Sequence, residues 1–436
     1  MIVVCEPQCK GISHVEVNSG FLYGLSSAYH DQEILFLTHP THYKEIINTL
    51  KYKGVSIPGL KHFPINFNAK NMFSLSGIFN YFILINKIFS QTIKLGQTKV
   101  LFLSTSPIIL FTIKLLKQFS YYKNICCTIV LHGELEDIAN DKYREPYTPT
   151  HRRNTSVNVK NGKIFRKLIN NLDKIPLYLF EKVSFSFSQL ESKYSLIFKR
   201  IFRTKRIMLW KHNSHFKYIS LSPHVTANAR KYIDTDFLNF NTIYLPIIFN
   251  KVMPATKNKY IKFAVFGYGD SSQMYKMLTL LDRKKITKPY LIKIISMDSR
   301  GTEGFQNIET YSHGKILTRK EMEVAAKDVD VFLNLYDDSR HSLGCSLSIF
   351  EALSHVKPVL HLSNPGYNYY NRQEKPIGYM EKNLVVFVDR MFDMIENYDK
   401  YKAILAQFKD NIIEYRSEYD ILSRLTSLHE SLDFIT

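Results

Sequence analysis

The stretch VFLNLYDDSRHSLGCSLSIFEALSHVKPVL, residues 331–360, decides the fold. It opens on a short apolar run, crosses a polar loop with one glycine and enters a segment with helical spacing. After Pro358 it ends in a second apolar run. Strand, helix, strand is one unit of a parallel α/β sheet, because parallel neighbours need a crossover and a helix usually supplies it. Working outward, the same alternation recurs on both sides. Residues 2–5, 33–37, 100–103, 127–131, 218–221 and 242–245 read as strands, most of them leading into helical segments. After Asn250 the polar, proline-containing KVMPATKNKY suits a domain boundary. The pattern then restarts at 261–266, 291–295, 331–335, 359–362 and 384–388. A chain of 436 residues also exceeds what one core usually supports. The expectation is an α/β protein of two Rossmann-like domains facing across a cleft, residues 1–250 and 251–415.

Bulk properties narrow the class. The apolar fraction of 45% is that of a globular chain, and no run reaches the ~18 uninterrupted apolar residues of a membrane span. The start, MIVVCEPQCKG, lacks the basic opening and cleavage site of a secretory signal and reads as a buried strand. Five scattered cysteines without paired spacing fit a reduced, cytoplasmic setting and no zinc site. The formal charge of +19 is unevenly placed. Arg152, Arg153, Lys160, Lys163, Arg166 and Lys167 accumulate in one acid-free stretch, and residues 193–217 form another, interleaved with Phe198, Phe202, Ile207 and Trp210. Two readings of 193–217 stand: an amphipathic segment lying on anionic lipid, or a basic helix packed on its own domain. No recognition motif accompanies the charge, so nucleic acid is not expected as a partner.

Open parallel sheets bind ligands beyond the carboxyl ends of their strands, and the loops there hold the candidates. After the first strand, CKGISHVEVNSGFLYGL offers Gly11, Ser13, His14, Asn18, Ser19 and Gly20; the plainer alternative is helix capping by Asn18 or Ser19. LSTSPIILF reads as capping chemistry, with Ser106 before Pro107, and capping alone also explains Ser222 before Pro223. VLHGELE places His132 at a strand end. The acid pairs Asp234/Asp236 and Asp328/Asp330 have a metal-binding spacing, but one follows a helix and the other precedes a strand, so no metal is expected. FGYGDSS lacks the third glycine of a dinucleotide fingerprint.

In the opening stretch, the helix starting near Ser346 presents free amides and a positive dipole end to the cleft, a seat for a diphosphate. Gly344 and Ser346 keep its entrance open. Glu351, one to two turns in, is placed to accept hydrogen bonds from vicinal ribose hydroxyls; the alternative is an ordinary solvated helix acid.

GCSLSIFEALSHVKPVL resembles the donor-binding segment of family 4 retaining glycosyltransferases of the GT-B fold, and EMEVAAKDVDVFLNLYDDS resembles the helix, aspartate and strand that precede it, with Asp330 at the aspartate. VLHGELE, SLSPHVTANARKYI and YLPIIFN are similar to the family's histidine loop, hinge-side strand end and domain crossing. The resemblance covers most of the chain in order and is specific between about 321 and 362. It implies sugar transfer from a nucleotide-linked donor (UDP or GDP) with retention and without a metal or other cofactor. The residues expected at the donor are Glu351, Gly344, Cys345, Ser346, Leu347, Gly267, Tyr268 and Arg319, with His132 and Arg340 in catalysis; His14, Asn18 and Gly20 are placed at the acceptor by their position in the loop and helix start facing the same cleft. Residues 416–436 are expected to cross back to the first domain. The acceptor is expected to be a glycan or lipid-linked oligosaccharide of bacterial surface polysaccharide (O-antigen, capsule or similar), handled at the inner face of the cytoplasmic membrane.

Three departures qualify the pattern. The position eight residues before Glu351, usually a second glutamate, is Leu343, leaving its contacts to Ser342 or His341. Val356 replaces a glycine, and a β-branched residue resists a left-handed turn, so the turn is expected to differ. The basic pair after the first strand of the second domain is missing, leaving Lys276, Arg300, Arg319 and Arg340 as partners for the diphosphate. A nucleotide-sugar epimerase on the same fold and a catalytically silent binding paralogue remain alternatives.

Overall fold

The computed structural model describes residues 1–67, 75–132, 135–139, 203–252, 256–267, 271–296, 302–311, 317–336, 343–345, 347–425 and 428. These form two sheets in which every pairing is parallel. The first holds β1 (Ile2–Glu6), β2 (Ile34–Thr38), β3 (Leu60–Pro64), β4 (Lys99–Phe102), β5 (Cys126–Leu131), β6 (Phe216–Ser220) and β7 (Phe240–Thr242), in the order β3-β2-β1-β4-β5-β6-β7. The second holds β8 (Ile261–Gly267), β9 (Tyr290–Ser296), β10 (Ile308–Thr310), β11 (Val331–Asn334), β12 (Val359–Leu362) and β13 (Gly378–Glu381), in the order β10-β9-β8-β11-β12-β13. Both orders reverse beside their first strand, as in doubly wound sheets.

Helices α1 (Val15–Ala28), α2 (Pro40–Tyr52), α3 (Leu75–Lys94), α4 (Pro107–Leu116), α5 (Glu136–Ala139), α6 (Thr204–Leu209) and α7 (Pro223–Ala229) belong to the first sheet. The second carries α8 (Ser271–Asp282), α9 (Arg319–Ala326), α10 (Leu347–Ser354), α11 (Pro365–Tyr370), α12 (Leu384–Glu396) and α13 (Tyr398–Tyr419). Prolines open α2, α4, α7 and α11 directly after strands β2, β4, β6 and β12, where the missing N–H costs nothing and φ is already helical. Sharp strand-to-helix turns therefore line the carboxyl edge of both sheets.

The period-2 alternation of buried strands sorts side chains to two faces. Val3, Cys5, Leu35 and Leu37 join the core containing Ile85, Phe89 and Ile109. Ile2, Val4, Ile34 and Phe36 join a second cluster with Phe21 and Leu25 of α1, which continues into Ala325 of α9, Phe350 of α10 and Ile412 of α13. One apolar layer thus belongs to both domains. A Cβ on Gly20 would lie 1.9 Å from the Pro246 carbonyl oxygen, and one on Gly24 2.7 Å from Leu428 Cδ2. Helix α1 therefore packs directly on the crossing segment and on the end of the described chain. Gly20→Ala should cost about 1–3 kcal/mol by overpacking; a urea midpoint unchanged from wild type would refute this contact.

Several expectations change. Residues 384–388 are not a strand but the start of α12. Asn383 caps it at Val386 N–H (3.0 Å), and burial of Phe387, Val388, Met391, Met394 and Ile395 gives the helical period over a longer window. The strand expected at 242–245 ends at Thr242. Strands β3, β10 and β13 carry little apolar patterning and were not foreseen. Val356 adopts the left-handed conformation after all, at φ 53°. Lys357 N–H bonds Ala352 O (2.9 Å) and Val356 N–H bonds Leu353 O (3.1 Å), a complete helix-ending pair. Burying the valine in the core gains about 1.5 kcal/mol or more, enough to offset the ~1–2 kcal/mol cost of the left-handed backbone.

Of the basic stretch 193–217, residues 193–202 lie outside the described residues, as do the basic residues 152–167. The described part packs on its own domain. Thr204, Ile207 and Met208 are buried, Trp210 stacks on Phe111 (5.1 Å), and Lys114 Nζ donates to Met208 O (2.5 Å) and Trp210 O (2.8 Å). Among the described residues no helix is long and apolar enough to cross a membrane.

Candidate functional site

The carboxyl edge of the second sheet meets α1 and α2 of the first domain across a set of buried charges. Glu351, in the second turn of α10, receives a hydrogen bond on Oε1 from Arg319 Nη1 (2.7 Å). Arg319 is the first residue of α9, inside the capping box formed by Thr318 and Glu321. Its Nε lies 2.5 Å from Oε1 of Glu16 in α1, and Glu16 Oε2 lies 2.6 Å from Lys53 Nζ at the end of α2. Tyr52 donates to Glu323 and Lys53 to the Ile248 carbonyl, so the network crosses between the domains. The carboxylates are only 4% and 7% exposed. Burial alone would raise the Glu16 carboxyl, but Arg319 and Lys53 more than offset it and hold it below the usual range. Glu16, Glu351, Leu347, Phe350, Ser354 and Ile247 line a recess there.

His355, one turn beyond Glu351, places Nε2 3.8 Å from Glu351 Oε2. Burial, reinforced by Arg319 and Lys357, pushes it down to about 3. The folded state thus refuses a proton that the unfolded chain accepts near 6.5, so this stabilisation is whole above that pH and fades toward pH 3. At pH 5 His355 should account for about 2 kcal/mol of lost stability. Urea unfolding at pH 7 and pH 5 tests this: His355→Gln should show a smaller difference than wild type, and an equal difference would refute the assignment.

At the first domain's edge, Glu6 ends β1 fully buried. Its carboxylate accepts from Ser104 Oγ, from Gln8 N–H (3.0 Å) and Cys9 N–H (3.1 Å), and from Asn18 Nδ2 (3.0 Å). Asn18 Nδ2 also lies 2.9 Å from His42 Nε2, and His42 Nδ1–H donates to Gly11 O (2.8 Å). This network fixes the loop ending at His14, whose backbone is left-handed (φ 55°). The His14 and His132 rings stand 4.7 Å apart, and His132 Nε2 donates to Leu103 O (2.6 Å). Burial, then His14, pushes His132 down to about 3, so it is neutral at physiological pH.

A third contact lies near the crossing segment. Tyr370 OH donates to Ser222 Oγ (2.9 Å), Ser222 Oγ donates to His224 Nδ1 (2.7 Å), and His224 Nε2 donates to Gly344 O (3.3 Å). Ser222 therefore makes this relay rather than a helix cap. Leu343 is fully buried in the first domain's apolar cluster with Leu131, Leu135 and Ile138, and its N–H donates to Glu136 (2.7 Å).

The structure brings Glu351 and Arg319 together, with Leu347 beside them, and pairs His14 with His132. Cys345 Sγ lies 3.9 Å from Tyr370 OH, and Gly267 ends β8. Asn18 and Gly20 are not presented to a cleft: both are interior to α1, one in the Glu6 network and the other on Pro246. Neither Asn18 nor Ser19 caps that helix, which begins at Val15. Asp330 Oδ2 accepts from Lys262 N–H and Asn258 Nδ2, and Asp328 pairs with Lys262 and Lys293; both are structural. Lys276 is exposed on α8. Tyr268, Arg300, Arg340, His341, Ser342 and Ser346 lie outside the described residues. Sequence reasoning missed Glu6, Glu16, His42 and Lys53, none of which is singled out by local spacing.

No family model and no curated protein matches the sequence. Solved structures do. A glycosyltransferase from Rickettsia africae superposes with a TM-score of 0.53 at 13% identity, over 99% of this chain and 98% of that one. A mutant of S. aureus TarM in complex with Fondaparinux, alpha-GlcNAc-glycerol and UDP gives 0.52 at 12%, over 99% of this chain and 99% of that one. The apo lipopolysaccharide outer core galactosyltransferase WaaB gives 0.50 at 10%, over 100% and 99%. The likeness runs the length of the chain and shows a shared fold: two Rossmann-like domains in the GT-B arrangement.

Proposed function

We propose that this chain is a glycosyltransferase that moves a sugar from a UDP- or GDP-linked donor to a glycan or lipid-linked glycan, with retention and without a metal, in the building of a bacterial surface polysaccharide. The observation that carries the reading is Glu351. It is a buried carboxylate at the carboxyl edge of the second sheet, opposite the first domain, in a fold shared with glycosyltransferases. In this reading Glu351 takes the ribose hydroxyls, and the amides that open α10 receive the diphosphate as it gains charge in the transition state. Arg319 supplies cationic charge beside them, and Arg340 is the further candidate. Neutral His132 and its neighbour His14 flank the transferred sugar and the acceptor. Work at the inner membrane face, with residues 193–217 against anionic lipid, belongs to the same proposal.

The test is incubation with a panel of nucleotide sugars, with membrane glycolipid extracts as acceptors and detection of released nucleotide. Failure to release or bind any nucleotide sinks the reading. The placement of Leu343 favours a second reading, a protein that binds the donor without turnover. An apolar side chain in the first domain's core stands where the resemblance expects a carboxylate on the sugar. Nucleotide binding with no release under any acceptor would select it.

A further inference from the structure

The first domain carries a second group of side chains at its carboxyl edge that the donor side does not use. Lys10 follows β1, His39 follows β2 and Phe67 follows β3, so three neighbouring strands deliver an ammonium, an imidazole and a phenyl ring to one spot. Lys10 Nζ stands 5.1 Å from the centre of the Phe67 ring, and the His39 ring meets the same phenyl edge-on at 5.7 Å.

The tautomer of His39 is set from beneath. Gly11 N–H donates to Thr41 Oγ1 (3.1 Å), and the Thr41 hydroxyl donates to His39 Nδ1 (2.8 Å), which also receives Thr41 N–H (3.3 Å). Nδ1 is therefore an acceptor and the ring proton resides on Nε2, which is left to donate outward of this triad. Lys10 is exposed and has no carboxylate partner among the described residues. Burial and then the Lys10 charge lower the proton affinity of His39. The patch borders the His14–His132 pair: Lys10 and His14 share one loop, and His42 beneath it holds Gly11 O and senses both His14 and His39.

Two donors without a hydrogen-bond acceptor among the described residues, one of them cationic, beside an aromatic ring fit a particular chemistry. A sugar ring lays its C–H face on a phenyl, while a carboxylate or phosphate takes charge-assisted hydrogen bonds from an ammonium and an N–H. A neutral sugar would leave the ammonium unused. We infer that this patch is an acceptor subsite for an anionic glycan, whose acid group pairs with Lys10 and His39 and whose ring lies on Phe67. Only the word acceptor rests on the glycosyltransferase reading; the binding does not.

Binding titrations would compare trigalacturonate with galactotriose, and mannose 6-phosphate with mannose, the two pairs separating carboxylate from phosphate. The wild type should prefer at least one anionic ligand about tenfold or more over its neutral counterpart, and the preference should shrink as salt rises. The double variant Lys10→Gln, His39→Gln should lose the preference while keeping the wild-type thermal midpoint and UDP or GDP affinity. Phe67→Ala should weaken the anionic ligand tenfold or so with nucleotide affinity unchanged. Absence of any preference, or a preference that survives the double variant, overturns the subsite. Nucleotide binding and donor turnover alongside that negative result would leave the transferase reading standing. An anionic preference without nucleotide binding would do the reverse.

Discussion

Arg319→Ala should destabilise the fold by about 3–5 kcal/mol, the range for breaking one partner out of a buried ion pair. Arg319 holds Glu351 at 2.7 Å and Glu16 at 2.5 Å, and removing it strips both at once. Glu16 keeps Lys53 at 2.6 Å, so Glu351 becomes the uncompensated charge, with only His355, at 3.8 Å, beside it among the described residues. The cost should therefore shrink at acid pH, where His355 takes a proton. The quadruple variant Glu16→Gln, Lys53→Met, Arg319→Met, Glu351→Gln removes the charges together and should lie within about 1–2 kcal/mol of wild type. Because the pairs join two domains, Arg319→Ala should also raise the radius of gyration in solution scattering. A loss under about 1 kcal/mol in urea unfolding, at an unchanged slope, would show that the network does not clamp the domains.

That network also marks where sequence reasoning stops. Residues 331–360 disclosed a strand, a helix and a strand because their apolar spacing is local, and the same held for β1, β2, β5, β8 and β12. Glu351 stood out for a local reason too, as a lone acid in an apolar helix. Its partner in the first domain did not. Glu16 reads as a solvated acid until α1 is laid against α9, and no pattern of spacing encodes that contact. Residues 384–388 failed differently: five apolar, partly β-branched residues satisfy either period, and the decision lay further along, at Met391, Met394 and Ile395. Val356 shows an intrinsic preference overruled by packing. Leu343 could be seen as a departure, but not that its side chain belongs to the other domain's core.

Glu351→Gln should weaken UDP or GDP binding by about 10–150-fold, the equivalent of about 1.5–3 kcal/mol for hydrogen bonds made to a charged group. Oε1 is engaged by Arg319, whereas Oε2 accepts no hydrogen bond from the described residues and faces only His355 at 3.8 Å. A ribose can therefore use Oε2 without dismantling the clamp between the domains. Glutamine retains an oxygen for Arg319, so this variant should keep the stability that Arg319→Ala loses, and a lost affinity can be read as a lost contact. Inorganic diphosphate supplies the control. It carries no ribose, so its affinity should be the same in wild type and Glu351→Gln if the acid serves the hydroxyls. Equal weakening of diphosphate and nucleotide would move Glu351 from the ribose to the electrostatics of the helix start, and unchanged nucleotide affinity would remove it from the site altogether.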